Sequence, residues 1–532
     1  MEMMKNTYNI LLKAVAAVAV AVSMTSCLEK LPGDAIHESE GMKTFNDAEQ
    51  TLTGIYSAWM SGALYSGYLT LLPDIQADMV YAVQGNSNTY GTLWQWDIRP
   101  TNQEIEGVYG ALYTVIGRCN FYLDQVEALR AGLTDDESIT YLDYYTGEVY
   151  CARALAYSEL IRNFCPAYTD ETAELAESGV AIDSTYFGKK PLKRSTLKDS
   201  YAFVIRDLEK AETLLKDAEY GYSSPYFTYA SANAIHARTA LYMQDWDKAI
   251  EYSTKLIEDN AYSLSTAATY TTGVSPITNQ PKAYSYIDYM WTNDLSTEVI
   301  WMVDYTITSY GGALGQNFLN FNNDYVYYYP DYVPAQWVLD LYTQGDARYS
   351  AYFTTLQTGY AHGLTFPLVT KYFGNEQFIA NLIYHVSKPK PLRLAEQYLI
   401  RAEAYCAKGQ YGNANSDLAA LSQARNGKAA GVNESNWKKV ISDERVKELY
   451  MEGFRLHDLK RWNMGFERVH QSQTQPEGSS KKVEAGDYRF VWPIPQNDIE
   501  APGSEIRQLI SLMSLSLEWH LHVLQVLLSY LY

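Results

Sequence analysis

The sequence predicts a mainly α-helical fold: about four helical hairpins of the tetratricopeptide type, carrying one large irregular insertion of loops and short strands. Three observations predict it. Residues 231–257 and 393–425 each read as helix, short turn, helix, with small residues where the two would cross. Between them, roughly residues 262–390 lose helical spacing and become rich in Tyr, Thr, Asn, Gly and Pro.

The chain begins with a targeting pattern. Lys5 precedes an apolar stretch, Ile10 to Val22, broken only by Lys13, and Met24-Thr25-Ser26-Cys27 follows. A basic start, a short apolar core and small residues before a cut site make a secretory signal. A Cys at the cleavage point supplies the thiol that takes a diacylglycerol, so residues 1–26 are expected to leave and Cys27 to carry a lipid anchor. Residues 27–43 then read as anchor and tether, 44–507 as the folded domain, and 508–532 as an atypical apolar tail.

Thr44 before Asp47 is a helix-cap signal, and 44–60 shows helical apolar spacing. Further helices are expected at about 104–129, 145–164 and 198–218, the last two forming a looser third hairpin. Residues 104–129 belong to a fourth. In 231–257, Ala234, Ala237, Leu241 and Tyr242 form one stripe and Ala249, Ile250, Tyr252, Leu256 and Ile257 another, around Gln244-Asp245-Trp246-Asp247. In 393–425, Leu394, Tyr398, Leu399, Ala402 and Tyr405 precede Lys408-Gly409-Gln410-Tyr411, and Ala414, Leu418 and Leu421 complete the pair. A long irregular insertion in such a scaffold is the natural place for function.

The chain has 62 acidic against 42 basic residues, a formal net charge of −20. This argues against nucleic acid and anionic lipid surfaces as partners. Cys119, Cys151, Cys165 and Cys406 show no CxxC pattern and no ligand spacing with His, so they read as buried thiols rather than a zinc site. No GxSxG, HExxH, P-loop or GxGxxG occurs. Asp74 and Asp78 are the best carboxylate pair for hydrolytic chemistry, and their spacing suits capping equally well; the chain is not expected to be an enzyme. No cofactor is expected. Asn322-Asn323-Asp324 has oxygen donors for a structural calcium ion, though no loop matches a calcium motif.

Tyrosine is the compositional outlier, 48 residues against 15 Phe. Its flat apolar face and polar tip suit wet surfaces that hold ring-shaped polar ligands. Two places combine aromatics with amides. The first is 86–97, with Asn88, Trp94 and Trp96, and Asn102 nearby. In an extended loop the alternation of Trp94 and Trp96 would turn both to one side. The second is the insertion, with Trp291, Tyr305, Tyr310, Asn317, Asn320 and Tyr327.

Near the C-terminus the chain reads Glu444-Arg445-Val446-Lys447-Glu448-Leu449-Tyr450-Met451-Glu452-Gly453-Phe454-Arg455-Leu456-His457-Asp458-Leu459-Lys460-Arg461-Trp462. The spacing pairs Arg445 with Glu448, Glu452 with Arg455, and Asp458 with both Arg455 and Arg461 along one helix, with Gly453 packed closely in its middle. This stretch resembles the signature of the SusD/RagB family of surface nutrient-binding lipoproteins. Thr44 to Tyr56, Asp346-Ala347-Arg348, Leu394 to Ala404 and Trp492-Pro493-Ile494-Pro495-Gln496 fit the same family in order. The resemblance implies an outer-membrane, lipid-anchored protein facing the cell exterior. It would bind an oligosaccharide or polysaccharide and deliver it to a TonB-dependent SusC-like transporter. It also implies that ligand-binding Trp and Asn residues come from the part of the chain around 86–102. A peptide-binding member of the family and a protein-docking helical scaffold are the alternatives. The resemblance fails after Ala501, where the near-uncharged tail to Tyr532 would be an aggregation liability if exposed.

Overall fold

The computed structural model describes residues 41–186, 192–321, 327–360, 363–474 and 480–509. The lipid-attachment residue Cys27, the calcium-type loop 322–324 and the tail from residue 510 lie outside the described residues.

Helix α1 (Phe45–Trp59) starts where the cap signal placed it. The Thr44 side chain accepts from Asp47 N–H at 3.2 Å, and Asp47 accepts from Thr44 N–H at 2.8 Å. After α2 (Tyr68–Gln76) come the long helices α3 (Gln103–Gly132) and α4 (Asp136–Phe164), then α5 (Leu197–Leu215). α3 packs on α1 and α4, and α5 packs along α4, as the third hairpin required. Gly147 permits that crossing: a Cβ there would stand 2.7 Å from the Leu215 side chain.

α6 (Tyr229–Tyr242) and α7 (Trp246–Ile257) form the next hairpin, capped by Thr228 and Asp245, with Gln244 in a left-handed turn at φ +59°. α8 (Leu394–Ala407) and α9 (Tyr411–Ala424) form the last. Ala237, Ala240, Leu241, Ala249, Ile400 and Ala404 make one small-residue cluster between these hairpins. Small side chains let the backbones approach, and the buried apolar area supplies the stability.

The family signature is not one helix. α10 (Trp437–Glu448) ends, and α11 (Arg455–Arg461) begins after a turn in which Met451 and Gly453 take φ of +58° and +81°. Gly453 is therefore a turn residue, not a mid-helix one. Its close packing is real: a Cβ would collide with the Leu69 carbonyl. The break also re-pairs the charges. Of the four expected pairs only Asp458–Arg461 forms, at 2.9 Å. Arg445 turns to Asp458 and Arg455 to Asp78. Glu448 takes Arg425, Arg393 and Arg348 at 2.7, 3.1 and 3.2 Å, all of them buried. Arg393 opens α8, Arg425 ends α9 and Arg348 lies in the insertion, so one carboxylate ties scaffold to insertion. The guanidiniums around it hold the Glu448 carboxyl far below its ordinary range despite burial.

The insertion has short strands, as its composition suggested, and with the segments around 71–94 and 446–451 it builds a second hydrophobic core that includes Leu71, Ile75, Trp94, Phe318, Leu368 and Tyr450. Antiparallel pairs form between β2 (Thr269–Val274) and β3 (Pro281–Ser285), and between β6 (Phe353–Gln357) and β7 (Thr365–Val369). A third pair matters most for function. β1 (Val80–Ala82) meets β5 (Tyr332–Pro334) in the register Val80↔Pro334, Tyr81↔Val333, Ala82↔Tyr332. Cys119, Cys151, Cys165 and Cys406 are buried free thiols, as expected.

Candidate ligand-binding face

The β1–β5 pairing lays the loop 84–90 against the chain that enters β5. Asp331, itself buried, accepts from the Ser87 N–H at 2.8 Å and the Ser87 hydroxyl at 2.6 Å. The Tyr332 hydroxyl donates to the Thr89 carbonyl at 2.5 Å. The Tyr90 hydroxyl engages the Asn317 side chain, and its ring meets Tyr68 edge-on at 5.7 Å. Asn88 and Tyr90 hold left-handed φ of +62° and +58°, a cost that the contacts with Asn317, Asp331 and Tyr332 offset.

From this seam the face continues over half-exposed aromatics. Tyr329 and Tyr360 lie 5.4 Å apart edge to face, and the Tyr360 hydroxyl donates to the Pro330 carbonyl at 2.7 Å. Phe321 meets Tyr384 at 5.4 Å, and Asn320 is exposed beside it, its carbonyl accepting from Tyr329 N–H. Tyr327 is 41% exposed. Burial pushes the phenols of Tyr90, Tyr332 and Tyr360 above their ordinary range, so they remain neutral hydrogen-bonding groups. Rings in several orientations, beside the amides of Asn86, Asn88 and Asn320 and the hydroxyls of Ser87 and Thr89, suit a neutral polar ligand with apolar C–H faces.

The two stretches singled out in sequence thus form one face, but several of their residues do not line it. Trp94 and Trp96 are 1% and 2% exposed. Their segment is a short helix, Gly91–Trp94, followed by Trp96 at φ +63°, so the extended alternation does not hold. Trp94 donates to the Val80 carbonyl at 3.2 Å under the Arg468 guanidinium. Trp96 donates to the Gln76 carbonyl at 2.5 Å between Phe466 and Phe490. Both rings are core pins below the loop, not platforms. Trp291 is buried against Lys371 and Lys390, and Tyr305 against Ser66; neither reaches the surface. Asn102 precedes α3 and is occupied by Arg99 N–H at 2.6 Å and the Thr92 hydroxyl at 3.3 Å. Asn88 is exposed on the loop, and Tyr310 is 45% exposed.

Asp74 and Asp78 are buried and engaged by the turn between α10 and α11. Asp74 accepts from Gly453 and Arg455 N–H at 3.0 and 2.8 Å, and Asp78 holds the Arg455 guanidinium. Burial raises the Asp74 carboxyl to about 7. Among the described residues, no group of His, Cys, Asp and Glu is arranged to hold a metal ion. Sequence reasoning missed Tyr68, Tyr360, Tyr384 and Asp331. The tyrosines carry no local signal, and Asp331 matters only through a strand pairing that joins segments some 250 residues apart.

Two family models match successive parts of the chain. One, described as the SusD family, covers residues 304–508. The other, described as starch-binding and associating with the outer membrane, covers residues 34–241. The chain belongs to the SusD/RagB family. SusD-like protein P38 of Formosa agariphila is 27% identical over 271 residues, 49% of this chain and 48% of that protein. SusD-like protein P2 of the same organism is 23% identical over 248 residues, 46% of each. The chain thus matches about half the length of these curated relatives. A SusD superfamily protein from Bacteroides thetaiotaomicron has the same fold, with a TM-score of 0.72 and 23% identity over 87% of this chain and 99% of that one. A putative sugar-binding protein from Bacteroides vulgatus gives 0.70 and 23% over 88% and 98%. The hairpin scaffold with its insertion is therefore the SusD fold, and the family matched over residues 34–241 is one described as associating with the outer membrane.

Proposed function

We propose that this protein is a lipid-anchored, cell-surface member of the SusD/RagB family. It binds a neutral oligosaccharide or polysaccharide on the face built from loop 84–90 with residues 317–321 and 327–332, and hands it to a TonB-dependent SusC-like transporter. The observation that carries this reading is the seam at Asp331. It fastens a loop of amides and hydroxyls beside the half-exposed rings of Tyr90, Tyr329 and Tyr360. The family description as starch-binding, and the sugar-binding description of the Bacteroides vulgatus structure, support a glycan over other ligands.

The reading is of binding without chemistry. The carboxylates first suspected, Asp74 and Asp78, are engaged by backbone and guanidinium groups, and Asp331 is engaged by Ser87. A leader that ends at Ser26, just before Cys27, supports the lipid anchor.

Affinity electrophoresis and calorimetry against a panel of polysaccharides, their oligosaccharides and mixed peptides test the proposal. Binding to one glycan class is the expected result. Silence on every glycan, with heat released by peptides, would replace it with the peptide-binding reading.

A further inference from the structure

A second concavity shares no residue with the face described above. It opens between α1, the first half of α4 and the segment 215–228, and encloses about 830 Å³. Six tyrosines line it: Tyr56, Tyr141, Tyr144, Tyr145, Tyr220 and Tyr226. Tyr226 is 58% and Tyr141 47% exposed, and Tyr56 meets Tyr226 edge-on at 5.6 Å. Five carboxylates join them. Glu49, Glu137, Asp217 and Glu219 stand exposed, and Glu148 lies buried among the lining residues.

The lining contains no Lys, Arg, His, Asn or Gln. Lys216, next along the chain, lies 3.9 Å from Asp217 with both groups in solvent. Of the lining hydroxyls, those of Thr53, Tyr56, Thr140, Tyr144, Tyr220 and Ser224 already donate within the fold, so carboxylate acceptors outnumber the donors left to a ligand. Glu148 accepts from the Tyr56 hydroxyl through Oε2, and its Oε1 accepts no hydrogen bond among the described residues. A neutral sugar can donate its hydroxyls to these carboxylates but brings no charge to balance them. A guanidinium or ammonium group, which only donates, is well served, and tyrosine faces attract the same cations.

We propose that this concavity docks a lysine- or arginine-bearing polypeptide segment of a partner protein. The acceptors lie both among exposed residues and at buried Glu148, so an occupant must present several cations on long arms. Extended Lys and Arg side chains do this. An ammonium fixed directly to a sugar ring has no such arm and reaches buried Glu148 only if the bulky ring enters with it. Charge complementarity of this kind speeds encounter and sets register. The inference does not rest on the glycan reading.

Burial pushes the Glu148 carboxyl up to about 8, so it is protonated at neutral pH, and a docked cation would displace that proton. This gives the test a second readout. Calorimetry of the full-length protein in detergent would compare tetra-arginine, tetra-glutamine and a fully deacetylated chitosan tetramer, in buffers of different ionisation heat. Tetra-arginine should bind at least about tenfold more tightly than tetra-glutamine, and the triple variant E49Q/E137Q/E219Q should lose about tenfold, or ~1.4 kcal/mol. Proton release should accompany binding in the wild type and vanish in Glu148→Gln. Equal affinity for the two peptides, or unchanged affinity in the triple variant, would overturn the proposal. So would tighter binding of the amino-sugar tetramer.

Discussion

Asp331 and Ser87 are joined twice: one carboxylate oxygen, Oδ1, accepts both the backbone N–H and the hydroxyl of Ser87, at 2.8 and 2.6 Å. Through this pair a loop from the N-terminal scaffold becomes part of the insertion. The face that results is the one argued to meet the ligand, so the pair sets whether the loop is in place before the ligand arrives.

Asp331→Ala should therefore weaken glycan binding more than it weakens the fold. Removing a charge-assisted acceptor of two donors costs on the order of 1.5–3 kcal/mol per hydrogen bond where the donors stay buried. Ser87 is exposed and water replaces the carboxylate there, so most of the loss should appear in affinity. Denaturation midpoints and calorimetric affinities measured side by side separate the two effects. A midpoint that collapses while the residual folded fraction binds normally would show that Asp331 serves only stability.

Trp96→Ala should behave in the opposite way. The ring is 2% exposed and fills the space between Phe466 and Phe490. Emptying such a site costs roughly 3–5 kcal/mol. Urea unfolding should show that loss, whereas Trp96→Phe should recover most of the stability and all of the glycan affinity. A Trp96→Phe variant as stable as wild type but unable to bind would return this residue to the ligand site.

Glu448 is the joint of the charge lattice. Glu448→Ala leaves Arg425, Arg393 and Arg348 without their shared partner and should cost about 3–5 kcal/mol. The pH sign follows from its depressed pKa. A carboxyl held below its unfolded value adds stability above the ordinary carboxylate range and loses it as pH falls through the folded value. Acid unfolding of the wild type should therefore steepen below about pH 4.5, and Glu448→Ala should flatten that limb. Parallel acid limbs in the two proteins would remove Glu448 from the account.

Glu148 has the reverse sign. Its folded carboxyl stands at about 8 against 4.5 unfolded, so its contribution to stability is complete below pH 4.5 and is lost as pH rises through 8. Glu148→Gln, always neutral, should gain stability relative to wild type between about pH 5 and about pH 8.5. Urea midpoints at the two ends of that range give the answer, and a constant difference between the proteins would contradict it.

The scaffold was legible in the sequence because its signals are local. Thr44 and Asp47 cap α1 within one turn, and the stripes of 231–257 and 393–425 report the face each helix buries. The insertion was legible only as composition. The turn at Met451 and Gly453 carries no local mark, because three-residue charge spacing looks helical until the partners are known, and Arg393 and Asp78 lie far away in the chain. Trp94 and Trp96 looked like platforms for a related reason. Alternation places two rings on one side only if the backbone is extended, and here a helical turn and a left-handed residue send them into different cores. Asn88, Tyr310 and Asn320 were found by residue type and do reach the surface. Tyr360 and Asp331 become visible only once β1 pairs with β5.

The most direct test is the calorimetric affinity of Tyr360→Ala for the glycan that the wild-type protein binds best. Tyr360 lies beside Gly85, packs on Tyr329 and rests half-buried at the edge of the core that holds Phe318 and Leu368. Affinity should fall by about 1–3 kcal/mol in a protein that remains folded, with a modest drop in the unfolding midpoint. Unchanged affinity in a folded Tyr360→Ala protein would place the glycan elsewhere on the molecule.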